Sequence, residues 1–130
     1  MSRHVRAWLG GFDSDLVTEI NRGLCAQKKA LHKPASDGWL PAKNHWELNQ
    51  PRELDLIEAL EVCLKCHRLA PFCFYNGNTF AAIARDFIAE LSPGLPADKS
   101  YILRSIAGHI VAGTATEIER RQLEEMLVNL

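Results

Sequence analysis

The chain has 130 residues and a mass of 14.6 kDa, which is the size of a single domain. Its composition, 47% apolar and 24% charged, is that of a globular domain and excludes collagen-like, rod-like and disordered chains. The net charge of −1 removes the electrostatic basis for a nucleic-acid partner, so we do not expect nucleic-acid binding. No apolar run reaches the length that crosses a bilayer, so we do not expect membrane insertion.

The first predicted helix runs from about Asp15 to His32 and ends before Pro34. Its apolar residues recur at helical spacing: Leu16, Ile20, Leu24 and Leu31. Cys25 and His32 would then lie seven residues apart on one helix, which is too far for a nucleophile to contact a base. We therefore expect no catalytic pair in this region.

Residues 34–50 are predicted to form a long connection, because two prolines and a glycine interrupt every period. The connection carries Trp39, His45 and Trp46, so it is too aromatic for a disordered linker. These three residues are candidate contacts for a ligand or a partner, since aromatic side chains in loops often anchor binding. The alternative is that they cover core surface that the helices leave open.

The second predicted helix runs from Pro51, a favourable first-turn residue, to about Leu69. On a helical projection, the charged residues fall on one side of this helix. The opposite, apolar side carries Leu56, Leu60, Cys63 and His67. We therefore expect the cysteine and the histidine to point into the protein, with the His67 ring largely buried and hydrogen-bonded.

Three further helices are predicted over about 79–91, 96–113 and 116–130. Their predicted buried residues are, in order, Phe80, Ile83, Ala84, Phe87 and Leu91; Ile102, Leu103, Ile106 and Ile110; and Ile118, Leu123, Met126, Leu127 and Leu130. The short links between these helices favour antiparallel neighbours. All the patterns together predict an all-α, bundle-like fold of about five helices in a single compact domain, residues 1–130.

The sequence from Cys63 to His67, Cys-Leu-Lys-Cys-His, matches the attachment motif of c-type haem. Covalent haem attachment normally takes place outside the cytoplasm, and the N-terminus shows no secretory signal, so we do not expect haem. Zinc is the alternative, because Cys63, Cys66, His67 and Cys73 could supply three sulfurs and one nitrogen. The interpretation that we adopt is that these side chains are packed core residues and that no cofactor is bound.

Residues 76–85, Asn-Gly-Asn-Thr-Phe-Ala-Ala-Ile-Ala-Arg, resemble the opening of a LysM glycan-binding module and also the first helix of a helix-turn-helix. The second resemblance implies a DNA-binding regulator in which the next helix supplies Lys99, Arg104 and His109. Nearby acidic residues cancel much of that positive charge, which argues against DNA as the partner. The alternative is a tightly packed helix start after an Asn-Gly-Asn turn.

The sequence contains no serine-hydrolase, P-loop, HExxH or dinucleotide-binding motif. The sequence therefore favours a non-enzymatic role. With no secretory signal, we expect a cytoplasmic protein with free thiols. We expect an interaction module for a protein partner or a small ligand, which also self-associates through its amphipathic C-terminal helix. The alternatives are a metal- or haem-binding redox or regulatory protein that uses the Cys-His motif, and a helix-turn-helix regulator.

Overall fold

The computed structural model describes residues 4–130, and most of them are helical. Six helices follow one another along the chain: α1 (Ser14–Gln27), α2 (Trp39–Asn49), α3 (Leu56–Leu69), α4 (Asn76–Leu91), α5 (Ala97–Ala112) and α6 (Glu117–Val128). A short 3-10 turn, Ser92–Gly94, links α4 to α5, and two isolated antiparallel bridges join Arg6 to Leu54 and Pro34 to Phe72. The all-α prediction is confirmed.

The helices pack around one core with α3 and α4 at its centre. α3 packs against α2, α4 and α5, whereas α4 packs against α1, α3 and α5. α6 packs against α5 through Leu123 and Leu127, which are both buried. Within residues 4–130, no helix is both long enough and apolar enough to cross a membrane.

The predicted long connection over 34–50 is wrong, because residues 39–49 form α2 and raise the number of helices to six. Pro41 is compatible with this helix because it lies in the first turn. The backbone N–H groups of a first turn have no partner within the helix, so the N–H that proline lacks costs no hydrogen bond there. Ala42 and Trp46 face the core, whereas Leu40 and Leu48 are exposed. The apolar residues of α2 therefore show no clear helical period, which is why the pattern did not predict it.

Two other helix ends differ from the prediction. α1 ends at Gln27 rather than His32, because Lys29 adopts a left-handed conformation and the chain reverses there. α3 begins at Leu56 rather than Pro51, because Asp55 and Glu58 form a capping box in which each side chain accepts a hydrogen bond from the backbone N–H of the other.

The predicted buried faces are confirmed in α3, α4 and α5 for ten residues: Leu56, Leu60, Cys63, Phe80, Ile83, Ala84, Phe87, Leu103, Ile106 and Ile110. The prediction is wrong in α1, where the buried residues are Val17, Asn21 and Cys25 and the neighbouring Leu16 is exposed. It is also wrong for part of α6, where Ile118 is 78% exposed.

Gly38 comes directly before α2 and lies against the end of α3. A Cβ atom added to Gly38 would lie 2.0 Å from the carbonyl oxygen of Leu69 and 2.1 Å from that of Ala70. Backbone atoms cannot move aside as the end of a flexible side chain can, so no side chain fits at this position. The glycine therefore allows the close approach of α2 to α3.

We expect Gly38→Ala to lower the free energy of unfolding by at least about 2 kcal/mol, because the added methyl group forces α2 away from α3. Gly23→Ala is the matched control, since a Cβ added there meets no neighbouring atom within 4 Å. Alanine inside α1 should raise stability by about 0.5–1 kcal/mol. Urea unfolding measures both changes, and a Gly38→Ala protein as stable as the wild type would contradict the close approach.

Candidate functional site

The Cys-His motif lies in the last two turns of α3, with both of its sulfur atoms in the core. Cys63 and Cys66 are fully buried, and the thiol of Cys66 donates to the carbonyl oxygen of Ala42 at 3.6 Å. Burial, with a smaller contribution from Cys66, raises the pKa of Cys63 far above its usual range, and burial raises the pKa of Cys66 to about 12. Both thiols are therefore protonated at neutral pH, and a thiolate ligand would have to form inside apolar surroundings.

His67 is half-buried rather than largely buried, and its predicted hydrogen bond is present. Its Nδ1 donates to the carbonyl oxygen of Val111 at 2.9 Å, while its Nε2 faces Gly77 at the start of α4. Cys73 is exposed in the loop between α3 and α4. Within residues 4–130, no group of three or more His, Cys, Asp or Glu side chains is arranged to hold a metal ion. Zinc on these residues stays a prediction, and it would require the two core thiols to leave the core.

We expect one thiol per chain to react rapidly with the disulfide reagent DTNB, because three of the four cysteines are buried and only Cys73 is exposed. The other three should react only after addition of denaturant. Cys73→Ser is the control and should remove the rapid phase. A second rapidly reacting thiol that persists in the Cys25→Ser protein would show that the end of α3 opens and would favour the core cysteines as ligands.

The two tryptophans of the predicted connection lie close together, but His45 lies elsewhere. Trp46 is buried, and its Nε1 donates to the carbonyl oxygen of Phe12 at 2.7 Å. Trp39 is half-buried, with its ring centroid 5.6 Å from that of Phe72. Between them is a cavity of about 20 Å³, which has room for one water molecule and not for an organic ligand.

His45 instead lines a groove between α2 and α3. Burial, together with the charge of Lys65, lowers its pKa, so this imidazole is held in its neutral form. Binding of a ligand or partner by Trp39, His45 and Trp46 stays a prediction, and it would involve two separate places on α2.

A buried polar junction that the sequence analysis missed is centred on Asn21 in α1. Its Nδ2 donates to the carbonyl oxygen of Phe74 at 2.8 Å and to the hydroxyl of Thr79 at 3.0 Å. Its Oδ1 lies 2.9 Å from Nδ1 of His32 and accepts from the thiol of Cys25 at 3.5 Å. The expectation that Cys25 and His32 stand far apart on one helix is therefore wrong, because the reversal after α1 brings both to the same oxygen atom.

This junction connects parts of the chain and does not form a reaction site. Asn21 uses both of its amide hydrogens and its carbonyl oxygen, so the carboxamide is fully hydrogen-bonded. Cys25 is buried, which keeps its thiol away from a substrate. Burial and the charge of Arg22 lower the pKa of His32, so the ring is neutral at pH 7 and donates its Nδ1–H to the amide oxygen. The sequence signal was the spacing of Val17, Asn21 and Cys25, which share one helix face.

Surface grooves between the helices differ in the charges that line them. The groove between α2 and α3 mixes both signs, with Arg52, Lys65, Arg68, Glu58 and Glu61. The groove at the end of α6 also mixes both signs, with Arg6, Lys99, Glu90 and Glu125. The α4–α5 groove is lined by Ala81, Ala84, Arg85, Ile88, Tyr101, Arg104, Ser105, Ala107 and Gly108, so its only charges are two positive ones.

Neither of the two arginines in the α4–α5 groove has an electrostatic partner among residues 4–130. Among residues 4–130, no carboxylate forms an ion pair with Arg85 or Arg104, and neither guanidinium makes a hydrogen bond. By contrast, Arg6 pairs with Glu90 and Arg120 pairs with Glu61. The α4–α5 groove is therefore a local concentration of unneutralised positive charge on a chain whose net charge is −1.

Five small residues line the α4–α5 groove beside Ile88, and Gly108 is the most informative of the five: Ala81, Ala84, Ser105, Ala107 and Gly108. It lies inside α5, where glycine is less stable than alanine by about 1 kcal/mol. A Cβ added to Gly108 meets no neighbouring atom within 4 Å, so nothing within the described chain requires a glycine there. Tyr101 is 66% exposed at the other end of the groove. The groove is thus shallow, open and about two helical turns long.

The three cationic residues that the helix-turn-helix resemblance implied do not share one surface. Lys99 lines the groove at the end of α6, and Arg104 lines the α4–α5 groove. His109 forms a hydrogen bond through Nδ1 to the carboxylate of Glu119 in α6. These residues therefore do not form a single positive face for DNA.

No family model matches the chain, and neither the curated proteins nor the solved structures include a protein that matches it.

Proposed function

We propose that the chain is a protein-interaction module that binds an acidic helix of a partner protein in the α4–α5 groove. The observation that carries this proposal is the pair of unneutralised guanidinium groups, Arg85 and Arg104, in a groove with no acidic lining residue. A guanidinium group binds a carboxylate through two parallel hydrogen bonds, which gives both affinity and orientation. The complementary surface therefore carries carboxylates.

The shape of the groove favours a helix as the form of that partner. The distance between packed helices is set by the side chains at the contact, and small side chains allow the closest approach. Ala81 and Ala84 on α4 and Gly108 on α5 supply such side chains. A third helix lying along α4 and α5 would bury this floor and place its own flanking carboxylates beside the arginines.

The remaining lining residues suit a protein surface better than a small molecule. Drug-sized ligands are held in pockets that bury most of their surface, whereas Tyr101 is 66% exposed and the groove is open along its length. Tyrosine and arginine are the residue types that contribute most to binding energy at protein interfaces. Their presence together in one groove supports a protein partner.

A fluorescently labelled peptide of glutamate, alanine and leucine, helical and about four turns long, is the probe for this proposal. We expect it to bind, and we expect the double substitution Arg85→Ala and Arg104→Ala to weaken binding at least about tenfold, or about 1.4 kcal/mol. Salt should also weaken binding, because exposed charge pairs are screened. Fluorescence anisotropy at about 0.05 M and about 0.5 M salt measures both effects.

Two controls separate the groove from general electrostatics. Arg22→Ala removes an exposed arginine of α1, outside the groove, and should leave peptide affinity unchanged. A peptide with lysine in place of every glutamate should not bind.

Gly108→Leu should fill the groove floor and abolish binding while the chain stays folded, because open space surrounds that position. Peptide binding that survives the double arginine substitution would contradict the proposal.

A further inference from the structure

We infer that the acidic helix taken up by the α4–α5 groove is α6 of a second copy of this chain. This inference rests on the proposed function of that groove and names its partner. It would make the chain a self-associating module in which one copy supplies the helix and the next copy supplies the groove.

The charges of α6 complement those of the α4–α5 groove. α6 contains four acidic and two basic residues: Glu117, Glu119, Glu124, Glu125, Arg120 and Arg121. Within the same chain, Arg120 pairs with Glu61 and Arg121 lies 3.9 Å from Glu117, while the carboxylate of Glu119 accepts a hydrogen bond from Nδ1 of His109. Glu124 and Glu125 stay exposed without an ion-pair partner among residues 4–130. Each copy thus offers two unpaired carboxylates on one helix and two unpaired guanidinium groups in one groove.

The outer face of α6 also carries apolar side chains that the described chain leaves exposed. Ile118 is 78% exposed, and it shares a helix face with Glu125 because the two are seven residues apart. Val128 is exposed as well, one turn beyond Glu124. An exposed apolar residue flanked by carboxylates is the pattern that a groove with a small-residue floor and two arginines would bind.

The inner face of α6 is already used within its own chain, so docking of the outer face requires no unfolding. Leu123 and Leu127 are buried in the core. A truncation of α6 would therefore remove core residues and is not a clean test of self-association. Substitutions on the outer face leave those contacts intact.

The α6 helix cannot occupy the groove of its own chain. α6 packs on the side of α5 that carries Ile102 and His109, where Ile102 and Met126 line a common groove and His109 pairs with Glu119. The α4–α5 groove lies on the side of α5 that carries Tyr101 and Gly108, about 100° away around the helix axis. The helix that fills the groove must come from another molecule, which makes the contact head-to-tail.

Sedimentation velocity of the full chain at rising concentrations tests this inference with two variants. The groove variant carries Arg85→Glu and Arg104→Glu, and the helix variant carries Glu124→Lys and Glu125→Lys. We expect the unmodified chain to associate at low salt and both variants to be monomeric. We expect an equimolar mixture of the two variants to associate again, because the helix of one then meets a complementary groove on the other.

The control variant carries Asp37→Lys and Glu53→Lys, which are exposed loop residues outside both surfaces. It changes the net charge as the helix variant does and should associate like the unmodified chain. Circular dichroism and thermal unfolding check that all variants fold equally well.

Three results would overturn the inference. The unmodified chain could stay monomeric at all concentrations, it could associate while both variants also associate, or the mixed variants could stay monomeric. If the chain is monomeric and its groove still binds the acidic peptide, the self-association fails and the proposed function stands. If the groove also fails to bind the peptide, both fail.

Discussion

The buried carboxamide of Asn21 is the interaction that positions the start of α4 against α1. Asn21 in α1 donates hydrogen bonds to the hydroxyl of Thr79, in the first turn of α4, and to the backbone carbonyl oxygen of Phe74, just before that turn. An unpaired carboxamide in the core would be destabilising by several kcal/mol, so this junction favours the relative position of the two helices that keeps these hydrogen bonds. The same residue holds His32 and thus the reversal after α1.

That position determines which side chains of α4 face inward and which face the groove. With Thr79, Phe80 and Ile83 turned toward the core, helical spacing turns Ala81 and Arg85 outward beside α5. Nothing else in the described chain packs on that side. The α4–α5 groove therefore follows from the core, although none of its charged residues contributes to the core.

The fold class, the middle helices and their buried faces could be predicted from the sequence, because Phe80, Ile83 and Phe87 or Leu56 and Leu60 recur at helical spacing. α2 could not, since its buried residues, Ala42 and Trp46, are mixed with exposed leucines and leave no clear helical period. The inward face of α1 was missed because its central residue is Asn21, whose burial depends on partners 53 and 58 residues away. A search for helical spacing of apolar residues does not detect a buried polar side chain such as Asn21.

The candidate groove was missed for a different reason. The net charge of −1 suggests a surface that prefers neither anionic nor cationic partners. That small net charge is a sum in which the positive charges of the groove and the negative charges of α6 largely cancel. Arg85 and Arg104 are distinguished only by what surrounds them, and tertiary structure alone shows that both lack a carboxylate partner within the described part of the chain. The cysteine motif was the conspicuous sequence feature, yet its thiols lie in the core with raised pKa values.

The most direct test of the central claim is a map of backbone amide chemical shifts in the isotopically labelled chain as an acidic helical peptide is added. Binding in the α4–α5 groove predicts that the changes concentrate in residues 81–88 and 101–108. It also predicts little change in α2 and in residues 56–66 of α3. Changes centred on the groove between α2 and α3, or no changes at saturating peptide, would contradict it.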